Sequence, residues 1–101
     1  MKRQGDVLII KANIDMHGAK EIEPRNGRII LAEGEATGHH HSVDCAVASL
    51  FDLEGKMVMV VNEPTIITHQ EHGAIEVAPG QYWVVGQREY QPKELPRRVM
   101  D

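Results

Sequence analysis

No stretch of this chain sustains three turns of helical periodicity; its apolar residues come in short runs punctuated by turn-forming dipeptides. Val7 to Ile10 follows Gly5-Asp6, and Arg28 to Ala32 follows Asn26-Gly27, a strong tight-turn signal. From Val43 the order V-D-C-A-V-A-S-L-F alternates, which places Val43, Cys45, Val47 and Phe51 on one face of a long strand. Two apolar runs around Asp52 to Lys56 read as a hairpin with Gly55 at the bend. Thr65 to Thr68, Ala74 to Ala78 and Gln81 to Tyr90 complete the strands, the last two divided by Pro79-Gly80. The expectation is an all-β chain of roughly six to eight antiparallel strands, arranged as one small barrel or sandwich.

The 101 residues suit a single core. We expect one β domain over 1–90 and a Pro-containing basic tail over 91–101. One Phe, one Trp and two Tyr leave that core mainly aliphatic. Tyr82 and Trp83 fall on opposite faces of their strand, so one of them is expected at the surface.

Eleven basic against fifteen acidic residues give a net charge of −4, which argues against a general nucleic-acid binder. A single cysteine, Cys45, excludes an intrachain disulfide, fits a reducing compartment and sits where core packing is its expected role. The N-terminal apolar run of four residues makes neither a signal peptide nor a membrane span, so a cytoplasmic protein is expected.

Chemistry concentrates in the histidines. In Gly38-His39-His40-His41, the first and third rings lie about 6.6 Å apart on one face of an extended strand, while His40 projects away. The same parity carries on to Val43, so the pair points to the mouth of the core. In THQEHG, His69 closes a β-branched run and His72 returns before Gly73. Four neutral imidazoles in two pairs, His39, His41, His69 and His72, would fill a tetrahedral zinc shell. With only three bound, Glu71 becomes a fourth ligand, an outer carboxylate orienting a ring, or the catalytic general base on metal-bound water. For a lone histidine, a solvated loop is the better reading. Two clustered pairs beside glycines favour a divalent metal, zinc first. Rings more than about 10 Å apart would exclude a shared ion.

His69-Gln70-Glu71-His72 is not HExxH, and CxxC, P-loop, GxGxxG and GxSxG elements are missing. The competing class is an accessory module that meets a protein or nucleic-acid partner through an edge strand and the tail, its histidines incidental. Self-association through edge strands belongs to that reading. A third is a metal-dependent hydrolase or oxygenase using Glu71. On Gln87 to Tyr90, Arg88 and Tyr90 share a face suited to a subunit contact or an anion.

Two resemblances accompany these residues. His39-x-His41 and Gly73-x5-Pro79 resemble the metal motifs of cupins, which implies a β-barrel holding a metal on an HxH pair. The chain departs from that pattern where Cys45 and Ala46 replace the following Glu and Trp83 stands in place of the last His. The blocks RQGDV, AEGEATGHHH, HQEHG and PGQYWVVGQREY resemble small bacterial and phage proteins with the same order of blocks, a resemblance that implies no activity.

Overall fold

Two-residue turns set the strand pairing. Asn26 and Gly27 take φ of 52° and 78°, and Glu54 and Gly55 take 51° and 84°. Positive φ at both central residues is the twist-matched geometry for a tight hairpin. The computed structural model describes residues 1–33, 40–70 and 72–86. Ten strands run through them: β1 (Lys2–Gln4), β2 (Val7–Lys11), β3 (Lys20–Ile22), β4 (Arg28–Glu33), β5 (His40–Asp44), β6 (Ala48–Leu53), β7 (Lys56–Val61), β8 (Thr65–Ile67), β9 (Ile75–Val77) and β10 (Gly80–Gly86). No helix occurs among the described residues.

Six strands form one antiparallel sheet in the order β1-β2-β10-β7-β6-β3, and β4-β5 and β8-β9 are separate hairpins. The expected all-β class holds. Among the described residues the sheet ends at β1 and β3 without pairing them, so it is not closed into a barrel.

The apolar residues divide between the two sides of this sheet. On one side Ile9, Leu50, Met59 and Tyr82 pack with Ile29, Val43, Ile67 and Val77 of the two hairpins. On the other, Trp83, Val58 and Leu53 pack with Ile14. Gln81 holds the 12–14 segment over that second face: its Nε2 donates to the Ile14 carbonyl at 3.0 Å, and its Oε1 accepts from Ile14 N–H at 2.9 Å. Both faces are therefore covered, and Tyr82 and Trp83 are 5% and 2% exposed. The expectation that one of this pair reaches the surface is corrected.

The long strand expected from Val43 to Phe51 is two strands with a turn between them. The Asp44 carboxylate accepts from Ala46 N–H at 2.8 Å, and Val47 N–H donates to the Asp44 carbonyl at 3.3 Å. This local side-chain bond competes with the ladder and ends β5. Its effect is to separate the histidine-bearing hairpin from the main sheet.

Candidate metal centre

The backbone brings the two histidine segments together. Ser42 and Thr68 exchange both of their backbone hydrogen bonds, at 3.1 and 2.9 Å. In an antiparallel ladder the next pair outward, His41 and His69, is a close non-hydrogen-bonded pair with both side chains on one face. Their ring centroids lie 4.3 Å apart. His72, carried back by the turn, lies 4.6 Å from His69 and 6.0 Å from His41. Opposite His41, β4 contains one extra residue, so the register shifts between Ile30 and Ala32. Bulges of this kind re-aim side chains beside sites.

His41 is only 7% exposed, and its environment determines which of its nitrogens is available. Gln4, 3% exposed, donates from Nε2 to the carbonyls of Ile67 and Gly73, each at 2.9 Å. Only an amide NH₂ can satisfy two carbonyls, so the Gln4 oxygen faces His41 Nδ1 at 2.7 Å and accepts its proton-bearing bond. The Nε2 of neutral His41 then carries a lone pair. Burial, then the neighbouring His69 and His72, lowers the His41 pKa from 6.5 to about 4, with Asp6 opposing the shift. The ring is neutral at pH 7 and needs no deprotonation to act as a ligand.

His72 is seated on Gly5. A Cβ at that position would meet His72 Nε2 at 2.6 Å, and Gly5 itself has φ of 58°. Gly5 and Asp6 form the two-residue turn between Gln4 and Val7, so this turn and its flanking Gln4 supply the amide that orients His41, the open space under His72 and, in Asp6, a carboxylate that acts on His41.

Of the predicted ligands, the structure gathers His41, His69 and His72; His39 and Glu71 lie outside the described residues. His40 faces the other way, lining a cavity with Arg28 and Ile30, while its backbone N–H donates to Gln70 Oε1 at 2.8 Å. Trp83, at the position where a cupin would place a histidine, is buried in the second core and takes no part. Among the described residues, no three His, Cys, Asp or Glu side chains are set in metal-ligating geometry. One ring nitrogen, His69 Nδ1, accepts from His72 N–H at 3.3 Å and is turned to that bond. The sequence reading missed Gln4 and Gly5, although both lie in the RQGDV block.

A domain of unknown function, DUF8820, matches residues 3–87. The chain belongs to this family. The DUF8820 match spans every element that builds the centre, from Gln4 through His72. No curated protein and no solved structure matches the chain. No helix among the described residues is long and apolar enough to cross a membrane.

Proposed function

We propose that this DUF8820 chain binds one divalent first-row metal ion, zinc first, through His41, His69 and His72, with His39 as the fourth ligand. The observation that carries this reading is the convergence of three imidazoles from two distant segments within 4.3 to 6.0 Å. Binding requires small rotations that aim the nitrogens at one point about 2.0 to 2.1 Å from each. Gln4 would act as the outer partner that holds the His41 tautomer, a common device around metal-bound histidines. Four protein ligands make a structural site. Three leave a position for an activated water, for which Glu71, lying between His69 and His72 in the chain, is the proposed catalytic base. The same reading takes the two hairpins as a second layer on the six-stranded sheet, a sandwich with the imidazoles at its rim.

Calorimetric titration of the chelator-treated chain with zinc at neutral pH tests this. The expected result is a single saturable site per chain that weakens as protons compete for the rings. An absence of binding heat above the buffer blank would overturn the reading. A second reading, an accessory module or self-associating chain, draws on the open edges of the sheet at β1 and β3.

A further inference from the structure

The reverse face of the same strand pair carries a second cluster, independent of the metal reading. Arg28 donates from Nε to Ser42 Oγ at 2.8 Å, and from Nη2 to the Ser42 carbonyl and Thr68 Oγ1, both at 3.1 Å. These bonds hold the guanidinium in one orientation and leave the two Nη1 donors without a partner among the described residues. Asp44 stands at the register position across from Arg28, yet its carboxylate is turned to Ala46 N–H and makes no ion pair with it. A half-buried cation with no carboxylate partner among the described residues is costly unless an anion meets it. Arg28 lines a cavity of about 240 Å³ together with Arg25, Asn26, Ile30 and His40.

We propose that this cavity binds a phosphate group. Two guanidinium groups and an imidazole converge on it, which matches a ligand of about −1.5 to −2 charge with three acceptor oxygens better than a two-oxygen carboxylate. The volume is several times the roughly 30 Å³ share of one water, and Ile30 adds an apolar wall. The cavity therefore has space for the organic substituent of a phosphate monoester as well as for free phosphate.

Amide chemical-shift titration of the chelator-treated chain at low salt tests the proposal, with inorganic phosphate, phenyl phosphate and acetate as probes. Saturable shifts at Asn26, Arg28 and His40 are expected with both phosphates. Tighter binding of phenyl phosphate would identify a monoester as the ligand, and equal binding would identify free phosphate. Arg25→Gln, on an exposed side chain, and Arg28→Lys should each weaken binding roughly tenfold, as expected for one lost charge-assisted hydrogen bond. No saturation, unchanged affinity in both variants, acetate binding as tightly as phosphate, or shifts centred on His41 and His69 would each overturn it. Because metal is stripped throughout, failure of the zinc site leaves this result unaffected.

Discussion

The pairing of β5 with Thr68 and His69, which follow β8, presents opposite chemistry on its two faces. On one, His41 meets His69, and the imidazole, kept neutral by its burial and by the neighbouring His69 and His72, is oriented by an amide whose NH₂ is spent on two backbone carbonyls. On the other, one residue along, Ser42 and Thr68 anchor the permanently charged guanidinium of Arg28. Strand alternation alone separates the two. In the proposed reading the first face offers a lone pair to a metal ion and the second a guanidinium to a phosphate, and a one-residue slip of register would exchange them.

The strongest way to break the first face without touching a histidine is Gln4→Ala. It strips the partner from two backbone carbonyls and from His41 Nδ1, and should cost about 3 kcal/mol in urea unfolding. A cost within the surface range of about 0.5 kcal/mol would mean that the amide orients nothing.

Acid should distinguish the faces next. His41 has a folded pKa depressed below its unfolded value, so the unfolded chain binds the extra proton between pH 6.5 and about 4. Stability is complete above that window and falls as pH drops through it, by an amount on the order of 3 kcal/mol. In His41→Leu the slope across this window should shrink, while in Ser42→Ala it should persist.

A smaller effect is expected from Gly5→Ala, which pushes His72 off its seat and places a Cβ at positive φ, costing about 1 kcal/mol. Its diagnostic feature is weakened zinc binding with every proposed ligand still present. Ser42→Ala should cost about 1 kcal/mol through the lost Arg28 bond and leave zinc affinity unchanged. Equal zinc affinity in Gly5→Ala and the parent chain would remove His72 from the centre.

Features set by neighbouring residues could be read from the sequence. The turns at Asn26-Gly27 and Glu54-Gly55 follow from residue chemistry, and strand parity correctly sends His41 towards the core and His40 away from it. What could not be read depends on distant register. Gln4 reaches Ile67 across 63 positions and His41 across 37, and nothing local to Gln4 announces either contact. The break after Asp44 escaped because a side-chain cap outcompeted an otherwise regular alternation. Strands β1 and β3, three residues each, are too short to show a period.

The most direct test of the shared-ion account is the metal content of the chain purified without a histidine tag or added metal, alongside His41→Ala and His69→Ala. The account predicts one equivalent of zinc in the parent and its loss in both variants, with the β-sheet circular dichroism retained. A parent free of metal, or variants that keep a full equivalent, would contradict it.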